Sequence, residues 1–366
     1  MFRRDNPRRF SKFLPEKEKG IMRRTTTAAL LAALVLMLGG WRPAAAQVLI
    51  NGAGATFPYP LYSKWFDVYT KVDPSVHFNY QSIGSGGGIK QLLARTVDFG
   101  ASDAPMKDEQ LAKAPEPILH FPTVLGAVVL TYNVPGITGT LRLTGPVIAD
   151  IYLGKISKWN DPAIAKLNPA LTLPEQSIVV CHRSDGSGTS YIFTDYLSKV
   201  SEEWNKEPGK STSVKWPMGL GGKGNEGVTA LVQQTPGSIG YVELIYAINN
   251  KLPYATLQNH DGAWVEANLA GVTAAAAADA AQIPADFRVS ITDAPGRDSY
   301  PLSSFTYLLV YTKQTDATKG KALVGFLRWM LTDGQQYAPS LQYAPLPTAL
   351  LGRENAQIGK ITLPGG

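Results

Sequence analysis

The sequence predicts an α/β protein of two lobes with a ligand cleft between them. Three observations carry this. First, an apolar strand, a small-residue loop and a helix start follow one another repeatedly, which is the pattern of a sheet covered by helices. Second, two β-rich runs, residues 119–133 and 300–311, are longer than an ordinary strand. They read as two crossings between lobes, which makes the first lobe discontinuous. Third, 366 residues with 44% apolar and 17% charged content suit about two domains with a large core. The expected division is 1–46 as an N-terminal extension and export signal, 47–125 with 305–366 as lobe I, and 126–304 as lobe II.

The charge balance excludes a nucleic-acid binder. The net charge is +6, from 35 Lys/Arg and 29 Asp/Glu. Residues 1–46 hold 10 of the basic and 3 of the acidic residues, which leaves 25 against 26 in the remainder. The basic surplus belongs to a segment expected to be removed. Met22-Arg23-Arg24 is a positive start, residues 28–38 are apolar, and Ala44-Ala45-Ala46 is a small-residue cleavage site before Gln47. The apolar run is shorter than the roughly 20 residues of a membrane span. An exported protein cut after Ala46 is expected. The one cysteine, Cys181, has no partner for an internal disulfide and lies in an apolar strand, where it reads as a small buried hydrophobe.

Taken in order, residues 48–50 form a short strand. Asn51-Gly52-Ala53-Gly54-Ala55-Thr56-Phe57-Pro58 is a glycine-rich turn, and Pro58 and Pro60 suit the first turn of a helix carrying Leu61, Trp65 and Tyr69 at helical spacing. Residues 77–83 alternate as a strand. A second turn, Gly84-Ser85-Gly86-Gly87-Gly88, leads to a helix over 89–94. Residues 97–103 are a strand ending in Ser-Asp, before a helix from Lys107. Residues 147–152 read as helical. Ile178–Cys181 is a buried strand, Arg183-Ser184-Asp185-Gly186-Ser187-Gly188-Thr189-Ser190 a third small-residue turn, and a helix follows from Tyr191. A helix over 226–234, a strand over 239–242, an Ala-rich surface helix over 270–282, a helix over 318–331 and a final helix after the Pro-rich 343–347 complete the chain.

The third turn has the makings of an anion site. A helix N-terminus leaves N–H groups without intrahelical partners, and its dipole favours negative charge. Arg183 adds a guanidinium fork, and Ser187 and Thr189 add hydroxyls. A plain turn that caps a helix accounts for the same residues. Enzyme motifs fail. Gly221-Gly222-Lys223-Gly224 lacks the spacing and the Ser/Thr of a phosphate-binding P-loop, and Ser85 has Ile83 where a nucleophile elbow needs glycine. The four histidines, His77, His120, His182 and His260, show no metal-ligand spacing, and His182 reads as an exposed strand end. What remains is a set of donors: Thr56, the Phe57 N–H, Ser85, Arg183, Ser187, the Gly188 N–H and Thr189. Asp103 is an acceptor among them. A site so built would take hydrogen phosphate, whose proton Asp103 can accept, and disfavour sulfate, which has none.

These residues resemble a known family. Gly52-Ala53-Gly54-Ala55-Thr56-Phe57-Pro58, Ile83-Gly84-Ser85-Gly86-Gly87-Gly88, Val97-Asp98-Phe99-Gly100-Ala101-Ser102-Asp103 and the 183–190 turn are similar to motifs of the periplasmic phosphate-binding proteins of bacterial ABC phosphate importers. Outside the expected pocket, residues 151–156 and 216–225 are similar as well. The resemblance implies a type II periplasmic-binding-protein fold, two α/β lobes on a two-strand hinge. It implies phosphate ligands at Thr56, Phe57 (backbone), Ser85, Asp103, Arg183, Ser187, Gly188 and Thr189, with Ala55 lining the turn and Asp185 orienting Arg183. It implies inorganic phosphate and membrane permease subunits as partners, a monomer, no cofactor, no metal and no catalysis. Gly86 departs from a frequent serine, and Cys181-His182 from a frequently aliphatic and basic pair. A hydrolase of phosphate esters and a receptor for another oxyanion are the competing readings.

Overall fold

The structure, a computed structural model, describes residues 47–278 and 280–365. The expected export signal and its cleavage site lie outside the described residues. Eleven strands are described: β1 Val48–Gly54, β2 Val76–Ser82, β3 Phe99–Ser102, β4 Ile118–Asn133, β5 Arg142–Leu143, β6 Val179–Arg183, β7 Leu220–Gly222, β8 Ser238–Glu243, β9 Thr256–Gln258, β10 Trp264–Val265 and β11 Ser303–Tyr311. Eight form one sheet in the order β2-β1-β3-β11-β4-β8-β6-β7, and β10-β9-β5 form a small second sheet. β1 is parallel to β2 and β3, and β6 is parallel to β8 and β7. Between these two parallel groups run β11 and β4, antiparallel to each other.

β4 belongs to both groups. Residues 118–127 pair with β11, and residues 128–133 pair with β8. Its 16 residues are buried nearly throughout, which explains the unbroken apolar run in the sequence. The β11–β4 register shifts between Thr306 and Tyr307, where Thr306 faces Val124 and Tyr307 faces Pro122. The extra residue, Thr123, makes a bulge beside a proline that has no N–H for the ladder. Tyr307 also faces Ser102 of β3, so Thr306 stands beside the residue that follows β3, Asp103.

Helices cover the sheet. Those that matter below are α1 Tyr59–Val72, α2 Ser85–Leu93, α3 Gly188–Val200, α4 Gly224–Gln234, α5 Leu269–Ala278, α6 Ala317–Leu331 and α7 Thr348–Ile358. α1 begins with Pro in its first turn and buries Leu61, Trp65 and Tyr69. An aromatic cluster joins α1, β2 and α6, with Phe78 stacked on Phe66 at 4.5 Å and beside Phe326 at 4.6 Å. At the other end Phe193 of α3 stacks on Tyr241 of β8 at 4.3 Å. No helix among the described residues is long and apolar enough to cross a membrane.

Glycines account for where the expected elements differ from the observed ones. β1 does not stop at Ile50 but continues through the glycine-rich stretch to Gly54. A Cβ at Gly52 would lie 2.0 Å from the Phe99 ring, so only glycine lets the two strands pack there. α2 starts at Ser85, not Ile89, and Gly88 sits inside it, where a Cβ would come within 2.4 Å of the Ala53 carbonyl oxygen. α3 likewise starts at Gly188 rather than Tyr191. The Ala-rich segment is not a plain surface helix: α5 buries Gly271, Val272, Ala275 and Ala276.

Candidate functional site

The residues singled out from the sequence lie where the parallel strands end. Thr56 and Phe57 follow β1, Ser85 follows β2, Asp103 follows β3 and Arg183 ends β6. Doubly wound sheets place ligands at such ends. The residues form two rims, one after β1–β3 and one after β6–β8, and both are buried.

In the first rim, Ala55 spends its backbone on the fold. Its N–H donates to the Ala101 carbonyl at 3.0 Å and its carbonyl accepts from the Tyr80 hydroxyl at 2.7 Å. Ala55 therefore lines the turn without a free donor. The Phe57 carbonyl accepts from the Tyr343 hydroxyl at 2.6 Å, while its N–H donates to no acceptor among the described residues. The Ser85 hydroxyl accepts from the Asp103 N–H at 3.2 Å and from the Gly188 N–H at 3.0 Å. Asp103 is 1% exposed. Its Oδ1 accepts from the Thr306 hydroxyl at 2.8 Å, and its Oδ2 has no partner among the described residues. Burial pushes the Asp103 carboxyl up to about 7, against the opposing pull of the Thr306 hydroxyl and the Arg183 charge.

In the second rim, Arg183 is held by Asp185. Its Nε and Nη2 donate to the two carboxylate oxygens at 2.8 and 2.6 Å, a bidentate pair. Its Nη1 donates to the Thr189 hydroxyl at 3.3 Å, and its backbone N–H to the Tyr241 hydroxyl at 3.1 Å. Three of the five guanidinium donors are thus spent, and two remain. Burial raises the Asp185 carboxyl, but the hydrogen bonds and charge of Arg183, with the Gly224 N–H at 3.0 Å, outweigh it and lower its pKa. Ser187 caps α3, its hydroxyl accepting from the Ser190 N–H at 3.0 Å. Gly188 opens the helix where the rims touch: a Cβ there would meet Asp103 Oδ2 and Ser85 Oγ at 2.5 Å.

Two groups that the sequence reading missed complete the arrangement. Asn225, in the first turn of α4, was expected outside the pocket as part of the 216–225 motif. It lies in the site, fully buried, with Nδ2 donating to the Thr56 hydroxyl at 2.7 Å and to the Thr189 hydroxyl at 3.1 Å. The correction has a topological cause: the end of β7 lies beside Arg183 because Gly222 pairs with it. The motif itself was the available signal. Thr306 was invisible, since its place beside Asp103 depends on the β3–β11 register. Tyr246 adds a further tie, its hydroxyl donating to the Thr56 carbonyl at 2.6 Å. Gly86, the departure from serine, donates its N–H to the Gly186 carbonyl at 2.8 Å, and a Cβ on it would lie 3.0 Å from Gly186 Cα.

Chemically, the site offers hydrogens from hydroxyls, backbone N–H groups and a guanidinium, with one unpartnered carboxylate oxygen. Cys181 is fully buried, and burial pushes its thiol up to about 11. His182 is half-buried rather than exposed, stacked on Trp216 at 4.8 Å. No cluster of three or more metal-ligating side chains occurs among the described residues. A surface groove of about 550 Å³ begins two residues beyond Asp103 and Thr189, at Pro105 and Tyr191.

Residues 41–334 match the model of the PBP superfamily domain. The chain is 49% identical over 306 residues to a phosphate-binding protein PstS of Xylella fastidiosa, covering 83% of each chain. It is 44% identical over 319 residues to the phosphate-binding protein PstS of Haemophilus influenzae, covering 87% of this chain and 95% of that one. Among solved structures it is similar to a phosphate-binding protein from Stenotrophomonas maltophilia, with a TM-score of 0.64, 20% identity, and 84% and 93% of the two chains covered.

Proposed function

Because this chain belongs to the PBP superfamily and, within it, to the family of the phosphate-binding proteins PstS, we propose that it is a receptor that binds inorganic phosphate in the site described above. Its fold is that of a type II periplasmic binding protein. The observation that carries the assignment to this site is the unpartnered Asp103 Oδ2 among converging donors. Hydrogen phosphate brings a proton for that oxygen and three oxygens for the donors. The ligand contacts we assign are the hydroxyls of Thr56, Ser85, Ser187 and Thr189, the N–H groups of Phe57 and Gly188, the two unspent N–H groups of Arg183, and Asp103.

The two rims belong, in this reading, to two lobes: residues 47–125 with 305–366, and residues 126–304. β4 and β11 are the strands that cross between them. Phosphate that touches both rims favours the form in which they meet, which is a shift of population by differential contacts. The receptor works in the periplasm as a monomer and hands phosphate to the permease of an ABC importer, without chemistry on the ligand.

Calorimetry of the exported chain, stripped of bound ligand, tests this with phosphate, arsenate and sulfate. Tight phosphate binding, displaced by arsenate and with weak sulfate binding at pH 8, is expected. Sulfate binding as tight as phosphate would remove Asp103 from its role. Metal-dependent turnover of p-nitrophenyl phosphate, lost on substitution of Ser187, would replace the receptor with a hydrolase.

A further inference from the structure

A hydroxyl group has one hydrogen and two lone pairs. Which of these meets a ligand depends on what the protein takes up first. The Thr56 hydroxyl oxygen receives the Asn225 N–H at 3.1 Å and its Nδ2 at 2.7 Å. Both donors have nothing to accept with, so both lone pairs are spent and the hydrogen must point elsewhere. The Thr189 hydroxyl oxygen receives the same Nδ2 at 3.1 Å and the Arg183 Nη1 at 3.3 Å, with the same result. The orientation of the Asn225 amide is itself dictated. Its Oδ1 accepts from the Glu243 N–H at 2.9 Å, and a backbone N–H only donates, so oxygen stands on that side and Nδ2 faces the threonines.

We infer that Asn225 is a positioning residue that turns the Thr56 and Thr189 hydroxyl hydrogens toward the bound anion. It does so from both sides at once, because Thr56 lies in the first rim and Thr189 in the second. Without the Asn225 side chain each oxygen keeps one donor, the Asn225 N–H on Thr56 and Arg183 Nη1 on Thr189, and the released lone pair can turn to an oxyanion, which is repulsive. Ser85 lies outside this device: Asn225 does not touch it, and its oxygen accepts from the Asp103 N–H at 3.2 Å. With Asn225 in place, the hydroxyls act as donors and Asp103 is left as the acceptor, so the proton of the ligand has one place to go. The inference rests on the phosphate-receptor reading.

The test is a double-mutant cycle read by phosphate calorimetry on the full exported chain: Asn225→Ala alone, Thr56→Val alone, and both. Asn225→Ala is expected to weaken phosphate by about tenfold in the wild-type background. In the Thr56→Val background it costs roughly threefold or less, because one of its two hydroxyls is gone. An equal cost in both backgrounds overturns the inference and leaves the phosphate reading intact. A wild-type chain that takes no phosphate overturns the reading itself. Thermal melts of the unliganded variants check folding. If Asn225→Ala does not fold, the same cycle is run with Asn225→Asp, which keeps the shape and Oδ1 but replaces the donor by an acceptor. Its loss must also shrink in the Thr56→Val background, whereas charge repulsion alone would cost the same in both.

Discussion

The two rims of the site solve the same task in opposite ways. In the second rim the charge is neutralised before any ligand arrives: Arg183 is paired with Asp185 and braced by Thr189, and Ser187 is a helix cap. In the first rim the charge is left open, with Asp103 Oδ2 buried and unpartnered. A paired, oriented cation attracts any tetrahedral oxyanion. An unpaired buried acid accepts only one that carries a hydrogen. In the proposed receptor, the difference gives affinity mainly to the second rim and choice mainly to the first.

The largest effect expected is from Arg183→Ala. It removes two free donors and the charge, and leaves Asp185 without its partner. Phosphate affinity should fall by roughly tenfold to a hundredfold, the value of about 1.5–3 kcal/mol for a charged hydrogen bond. Arsenate should lose as much, because the second rim does not discriminate. Calorimetry with both anions checks this. A loss confined to phosphate would break the division of labour.

A smaller effect is expected from pH. Asp103 titrates near 7 in the unliganded chain because it is buried. At pH 8 it is largely ionised and repels sulfate. At pH 5 it carries a proton and becomes a donor, so sulfate affinity should rise severalfold as pH falls from 8 to 5. In Asp103→Asn that rise should disappear. A wild-type sulfate affinity that is flat with pH would mean that selectivity lies elsewhere.

The second rim was the more legible of the two. Its residues, 183–189, are contiguous, and a strand, small residues and a helix start announce a helix N-terminus in any fold. The first rim's turns were legible as turns, but their glycines misled: Gly52 to Gly54 are strand and Gly86 to Gly88 are helix. Propensity argues against glycine there. Close backbone approach, seen at Gly52 against Phe99 and at Gly88 against Ala53, overrides it. Thr306 reaches Asp103 across 203 residues through a bulge and a register, and no local pattern carries that. Asn225 was within reach, because its motif was visible. Its distance in the chain from the other residues of the candidate site hid that β7 ends next to Arg183.

The smallest effect expected tests whether the open charge of the first rim is a cost to the fold. A buried carboxyl whose folded pKa lies near 7, above the value of 3.8 for a free one, binds a proton more tightly folded than unfolded. Its contribution to stability is complete below about pH 3.8 and is lost as pH rises through 7. Asp103→Asn has no such loss. Without ligand, the variant should therefore melt a few degrees above wild type at pH 8, and the gap should narrow steadily toward pH 4. His120, lowered to about 4 by burial, and Glu354, raised well above its ordinary value by burial, titrate in both proteins and cancel in the difference. Glu243 is raised chiefly by burial and further by the charge of Asp103, so relieving that charge adds to the gap with the same sign. Melting curves of the two unliganded chains from pH 4 to pH 8 measure it. A gap that does not change with pH would mean that Asp103 is already satisfied in the unliganded protein, and the contrast between the rims would then lie in geometry rather than in charge.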